Sequence, residues 1–321
     1  IIGGGPAGST VARYASKGGA KVLVIDRQKE IGTPLQCGEL VPTNNELSRL
    51  CPDVPDIDKL FQTPKEAISK KTREIGLVTP SGKKLVYPFE GQILYRPVHD
   101  QKLVDVAKKC GAQYLTESRV NDISENTVFL KNGKKLDAKI IVGCGGPHDP
   151  LRKKFWNEKS LNIAVNFVLM EGDFENRVDL YFGSTAPGGY AWMIPKKGGA
   201  NIGIGIQTKF SKGKSLNSMA DEFFRKFKGV ITYKGGGLLP MSGSIRTFTK
   251  GNYMLVGDSA GMVLPSNGAG ITTAMIGGRI AGQVIAEHIK SKVVLSEYQK
   301  RWNLQMGNVM KYSKRGITWG G

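Results

Sequence analysis

The opening 26 residues constrain the fold more than any other stretch of the chain. Ile1 and Ile2 read as the end of a buried strand, GGGPAG follows, STVARYASK carries a helical pattern closed by Gly18 and Gly19, and KVLVI runs apolar into Asp26. Gly3, Gly5 and Gly8 satisfy G-x-G-x-x-G. In that motif the first glycine permits a tight turn, the second lets backbone approach a pyrophosphate, and the third lets the helix pack closely on the strand. Pro6 and Ala7 open the helix. Asp26, 18 residues after Gly8 and at the end of the next apolar run, is placed to accept hydrogen bonds from a ribose, with Arg27 beside it. Strand, helix, strand and terminal acid in this order predict a βαβ unit that binds a dinucleotide, without saying which one.

With 321 residues and 40% hydrophobic content, the chain can bury a large core and suits one large or two interlocked domains. No run of 18 or more apolar residues occurs, which predicts no spanning helix, and IIGGG carries neither a basic n-region nor a cleavage site. A cytoplasmic location is the expectation. The half-strand at Ile1 and the abrupt GITWGG suggest truncation at both ends, with residues 296–321 beginning a C-terminal helical region. Cysteines at 37, 51, 110 and 144 form no CxxC pair, and histidines at 99, 148 and 288 form no HExxH or triad signature, so neither a disulfide framework nor a metal site is expected. Lysine and arginine outnumber acidic residues 46 to 27, giving +19 spread over KKTR, KNGKK, RKK, KFSKGK and RKFK. These clusters lack the interleaved aromatics of a single-strand binder, so nucleic acid is not expected. A solvated lysine-rich surface, an anionic membrane surface and an acidic partner all stay open as explanations of the charge.

GLVTPSGKKLVYPF (76–89) reads as a hairpin about PSGK, and NTVFLKNGKKLDAKIIV (126–142) as another about Asn132-Gly133. Between them YRPVHDQKLVDVAKKCGA predicts a helix with apolar positions 98, 103, 104 and 106. NIAVNFVLM, RVDLYF, YAWMI and NIGIGIQ, bounded by Gly, Pro and Asn clusters between 162 and 207, predict an antiparallel sheet inserted into the nucleotide domain. MADEFFRKF (219–227) has helical spacing and is expected to pack against an edge of that sheet.

From residue 252 the pattern returns to that of a nucleotide domain: NYMLV ends in Gly257-Asp258, PSNGAG follows, and a helix dense in small residues begins near Gly270. An acid at a strand's carboxyl end can bind ribityl hydroxyls. A helix N-terminus, with free N–H groups and a positive dipole end, stabilises charge developing on the pyrimidine edge of a reduced flavin. A glycine-rich helix packed closely on a sheet would explain Gly277, Gly278 and Gly282, but not Asp258 or the SNGAG turn. The arrangement favours a flavin.

GGGPAG, YRPVHDQKL, VGDSAG and PSNGAGI together resemble the para-hydroxybenzoate hydroxylase class of FAD proteins over nearly the whole chain. Within that class PGGYAWMIP (187–195) resembles the P-x-x-Y-x-W-x-F-P motif of the geranylgeranyl reductase family, which also carries a Cys-Gly pair where this chain has Gln36-Cys37-Gly38-Glu39. The resemblance implies an α/β fold with a glutathione reductase-type, Rossmann-like FAD-binding domain (1–75, 92–155, 245–295) and an inserted antiparallel-sheet substrate domain (76–91, 156–244). It implies an FAD-dependent reductase that saturates C=C bonds of geranylgeranyl chains in archaeal-type membrane lipids. Gly3, Gly5, Pro6, Ala7, Gly8, Asp26 and Arg27 would hold the ADP half of FAD. Arg96 would lie near the ribityl and pyrophosphate region, and Cys37, Gly38, Gly257, Asp258, Gly268, Ala269, Gly270 and Ile271 at the flavin end. Tyr190, Trp192 and Pro195 would line the polyprenyl channel, an apolar wall on one face of a strand.

Two departures stand out. Ile194 replaces the motif's phenylalanine, and GCGGPHDPLR (143–152) has Gly145 where the class carries an Asp-Gly pair that helps bind the cofactor. Saturating an unactivated alkene needs a hydride on one carbon and a proton on the other in a dry pocket. Cys37 is a candidate proton donor and Glu39 the alternative. The external electron donor is open between NADPH, a reduced deazaflavin and a ferredoxin, the last suited to the positive charge. A flavin monooxygenase acting on a small hydrophobic or aromatic substrate, and a non-catalytic flavoprotein or lipid carrier, are alternative functions.

Overall fold

The computed structural model describes residues 1–158, 160 and 162–317. Ile2 bridges in parallel to Ile25 on one side and Gly143 on the other. Leu23–Ile25 pairs in parallel with Gln113–Leu115, and Ile141–Gly143 with Tyr253–Leu255, to which Thr249–Lys250 adds antiparallel. The helix Pro6–Lys17 leaves the first turn and packs along Ile271–Ser291. A Cβ on Gly278 would stand 2.8 Å from the Ala7 carbonyl, and one on Gly282 2.7 Å from that of Val11. These two glycines therefore let the backbones approach. The expected C-terminal helical region is the helix Glu297–Ile317, whose Tyr298 and Trp302 are fully buried against Phe248; residues 318–321 of that region lie outside the described residues.

The second layer is one eight-stranded sheet in the order Val230–Pro240, Asn162–Glu171, Gly199–Ile206, Tyr190–Lys196, Val178–Tyr181, Ile68–Val78, Lys84–Leu94, Leu40–Pro42. Every neighbouring pair is antiparallel except Val178–Tyr181 with Ile75–Val78, which run parallel. The inserted sheet thus begins before residue 76: its hairpin starts at Ile68, and Leu40–Pro42 joins the edge, both from the stretch expected in the nucleotide domain. Val230–Pro240, not anticipated as a strand, closes the other edge.

Two other expectations need correction, while the helix expected after Tyr95 is present. The Asn132-Gly133 turn does join strands Thr127–Leu130 and Lys135–Asp137, but Ile141–Gly143 leaves that hairpin for the parallel nucleotide sheet, where all three of its residues are buried. The helix Arg96–Lys109 buries His99, Asp100, Val104 and Ala107, while Val98 and Val106 are 36% and 37% exposed. The helix Leu216–Phe224 lies on the face of the large sheet, not on its edge. Its stripe of Met219, Ala220, Phe223 and Phe224 matches an i, i+4 row and seats on Val168, Met170, Met193, Ile202 and Ile204.

Alternation divides the large sheet between two tasks. Along Tyr190–Lys196, Ala191 and Met193 face the helix while Tyr190, Trp192 and Ile194 face the other way. Along Gly199–Ile206 the isoleucines take the helix side, so Asn201, Gly203 and Gly205 fall on the opposite face. A Cβ on Gly203 would stand 2.1 Å from the Trp192 ring, so glycine is required for the indole to lie flat on the sheet.

Candidate active site

The nucleotide side is a groove of about 820 Å³ at the carboxyl ends of the parallel strands. Gly3, Gly5, Pro6, Ala7, Asp26, Arg27, Cys37, Arg96, Asp258, Gly268, Gly270 and Ile271, all selected from the sequence, line it. Gly3 has φ +95, and a Cβ on Gly8 would stand 1.9 Å from the Gly3 carbonyl oxygen. A Cβ on Gly5 would meet nothing within 4 Å, so its backbone is open toward a ligand. Asp26 braces the turn by accepting from the Gly4 amide at 2.7 Å and the Gln28 amide at 2.8 Å, and each oxygen keeps lone-pair capacity for a ribose hydroxyl.

Gly257 lines neither this groove nor the neighbouring cavity. With φ +70 and a Cβ position 2.8 Å from Ala7, it packs its turn against the first helix. The unusual GCGGPHDPLR segment is ordered from within. Buried Asp149 accepts from the Gly145 amide at 2.7 Å and caps Pro150–Phe155 through the Arg152 amide at 2.9 Å. Arg152 then donates to the Ser259 carbonyl at 3.0 Å, which ties this segment to the Asp258 turn. Asp149-Pro150 is a helix-start signature that could have flagged this brace.

The carboxylate of Asp258 accepts no hydrogen bond among the described residues and opens on both the groove and the cavity beyond it. Burial pushes it up to about 6 despite the attraction of Arg96. Such an acceptor, beside the N-terminus of Ile271–Ser291, fits ribityl hydroxyls. Together with the open Gly5 backbone, it makes the groove a fit for FAD. Arg96 is held by Asp100 through two bonds, Nε at 3.0 Å and Nη2 at 2.7 Å, and Asp100 also meets His99 Nδ1 at 2.9 Å. Burial works against the Asp100 carboxylate, but Arg96 and His99 outweigh it and hold its pKa below the ordinary value.

The groove continues into a cavity of about 950 Å³, and Gln36, Cys37, Leu238, Asp258 and Gly268 are among the residues that line both. Its walls are apolar: Ile75, Phe89, Ile163, Val165, Phe167, Leu180, Leu239 and Met241 surround Tyr190 and Trp192, with Gly38 and Ala269 at the groove end. Its volume is near the upper end of small-molecule sites, about 300–1,000 Å³. The Tyr190 hydroxyl donates to the Asn267 carbonyl and so ties the apolar wall to the Gly268–Gly270 turn. Pro195 is buried but lines neither space, because alternation from Ile194 turns it away.

Cys37 stands where the two spaces meet. Burial raises its thiol pKa, and the opposing pull of Arg96 and the Glu39 amide, 3.1 Å from Sγ, does not cancel that rise. The thiol is therefore protonated near neutrality. Glu39, expected as a proton source or a solvated loop carboxylate, is not solvated: it is 1% exposed, at the cavity lining, and paired with Lys196. Lys196 and Asn201, which bind it, carried no local signal in the sequence.

A βαβ nucleotide groove roofed by a large, mainly antiparallel sheet defines the class of FAD-dependent oxidoreductases. The myxobacterial chondrochloren halogenase, a variant of the FAD-dependent halogenases, shares this fold with a TM-score of 0.72 at 16% identity, over 97% of this chain and 80% of its own. A geranylgeranyl bacteriochlorophyll reductase-like protein from Thermoplasma acidophilum superposes more closely, with a TM-score of 0.82 at 27% identity, covering 98% of this chain and 86% of that one. Residues 1–46 match the NAD(P)-binding Rossmann-like domain and residues 160–237 the geranylgeranyl reductase catalytic domain. Digeranylgeranylglycerophospholipid reductase 3 of Methanosphaera stadtmanae is 33% identical over 97% of this chain and 83% of its own length. The chain belongs to the digeranylgeranylglycerophospholipid reductase family.

Proposed function

We propose that this protein binds FAD in the groove and reduces C=C bonds of geranylgeranyl chains of archaeal-type glycerolipids drawn into the apolar cavity. The observation that carries this reading is the junction itself: an apolar cavity, walled by Tyr190 and Trp192, opens onto the nucleotide groove beside a protonated thiol and an unpartnered carboxylate.

When bound and reduced, FAD supplies the hydride that one alkene carbon receives. The other carbon takes the proton of Cys37, and the Arg96 guanidinium beside the sulfur stabilises the thiolate left behind until solvent returns a proton. In this reading Glu39 holds the loop rather than the proton, because its carboxylate is engaged by Lys196 and Asn201. The isoprenoid chain lies along Phe167, Trp192, Tyr190 and Leu180, which exclude water from the reacting bond.

No described helix is long and apolar enough to cross a membrane, and the +19 charge supports docking at an anionic lipid surface and electron delivery by an acidic carrier protein. The deciding experiment is anaerobic. The bound flavin is bleached with dithionite, excess reductant is removed, and a geranylgeranyl glycerolipid is added while absorbance is followed. Return of the oxidised bands with formation of the saturated lipid is the expected result. Bands that stay bleached until air enters would refute the reductase and point to oxygen chemistry or a carrier.

A further inference from the structure

We propose that Lys196 and Asn201 are positioning residues that fix the Cys37 thiol at the junction of groove and cavity by gripping the 37–39 loop; the inference rests on Cys37 being the proton donor. Lys196 lies 157 positions from Glu39, is 8% exposed, and lines neither the groove nor the cavity. Desolvating two charges is costly, and well-packed apolar side chains of similar volume are often as stable or better. A buried pair in this place calls for a reason other than stability.

The geometry supplies one, because most polar contacts of the cluster end on the loop that carries the thiol. Lys196 Nζ donates to Glu39 Oε2 and to the Leu94 carbonyl at 3.3 Å, with its ammonium 5.0 Å from the Tyr95 ring centroid. Asn201 Nδ2 donates to the Cys37 carbonyl at 2.8 Å and to Glu39 Oε2 at 3.3 Å. Glu39 Oε1 receives the Arg96 amide at 3.4 Å, and the Glu39 amide points at Cys37 Sγ. Glu39 itself sits at φ +68, a left-handed conformation that a non-glycine residue keeps only when its surroundings hold it there. The loop is thus pinned at the Cys37 carbonyl and at the Glu39 side chain, on both sides of Gly38.

The same cluster sets the register between the thiol and the apolar wall. Trp192 Nε1 donates to Asn201 Oδ1 at 2.9 Å, so one asparagine joins the indole that lines the cavity to the carbonyl of the residue that would deliver the proton. A small shift of either would take the sulfur off the alkene, and misplacement by about 1 Å can cost roughly a hundredfold in rate.

The test is a double-mutant cycle with two readouts. Lys196→Met is expected to slow anaerobic flavin reoxidation by geranylgeranyl glycerolipid about tenfold or more while leaving FAD retention unchanged, and Lys196→Arg to stay within about threefold of the parent. In a Cys37→Ala background, Lys196→Met should add less than about twofold, because its effect runs through the thiol. Independently of turnover, iodoacetamide labelling of Cys37 in the FAD-free protein, read by mass spectrometry, should quicken several-fold. If Lys196→Met fails to fold, Glu39→Gln/Lys196→Met removes both charges together and takes its place in every comparison. Full additivity with Cys37→Ala and unaltered labelling would overturn the proposal. Loss of nothing in Cys37→Ala alone would instead overturn the proton-donor assignment, with labelling still deciding whether the pair holds the loop.

Discussion

Asp258 makes a sharp test, because the property that fits it to a cofactor burdens the empty protein. Its carboxyl rises from an ordinary 3.8 to about 6, chiefly through burial. At about 1.4 kcal/mol for each pH unit, the ionised form costs the folded, FAD-free protein about 3 kcal/mol relative to the unfolded chain. The folded state holds this proton more tightly, so the contribution is fully present below pH 3.8 and is lost as pH rises through about 6. Asp258→Asn cannot ionise. The variant should gain about 2.5 kcal/mol over the parent on going from pH 4 to pH 8, measured as the change in their stability difference by urea unfolding of FAD-stripped protein. It should also bind FAD about tenfold or more weakly, since a hydrogen bond to a charged acceptor is worth about 1.5–3 kcal/mol. A stability difference that is the same at both pH values, or a variant less stable than the parent at pH 8, would refute the reasoning.

Other perturbations separate the groove from the cavity. Gly8→Ala places a methyl 1.9 Å from the Gly3 carbonyl oxygen, so FAD should no longer survive gel filtration; retention at parental levels would show that the turn can yield. Replacing Tyr190 and Trp192 together with alanine should lower lipid turnover far more than FAD retention, and equal loss of both would mark them as core alone. Gly203→Ala forces Trp192 off the sheet and should cost about 1–3 kcal/mol in thermal unfolding along with turnover, whereas an unchanged Tm would contradict the contact described here.

What was legible in the sequence is what short-range chemistry specifies. Gly3, Gly5, Gly8 and Asp26 answer to one turn and the strand after it, and the YAWMI alternation fixes which face each ring takes. What stayed hidden depends on contacts across the chain. Val230–Pro240 was missed because Gly235, Gly236 and Gly237 dilute its strand pattern, yet two of these glycines sit against Phe167 and Asn166 of the neighbouring strand. Ile141–Gly143 reads as part of the Asn132-Gly133 hairpin because a short apolar run does not reveal its partner. Val98 and Val106 pointed outward because the buried face of their helix is chosen by the His99, Asp100 and Arg96 cluster rather than by hydrophobicity. Nothing near Lys196 announces a carboxylate 157 positions away.

The parallel seam between Ile75–Val78 and Val178–Tyr181 has a consequence for how the molecule is made. The hairpin ending at Leu94 emerges from the ribosome 84 positions before Val178, its nearest neighbour on the inner side of the sheet. At about 5–20 residues per second, the nascent chain waits on the order of ten seconds with one ladder unpaired. In that interval the nucleotide strands Gln113–Leu115 and Ile141–Gly143 are threaded through, so neither sheet closes before the other is well advanced. Long-range pairing of this kind carries a high loop-closure cost, and until Val178–Tyr181 arrives the Ile68–Val78 strand presents an open edge.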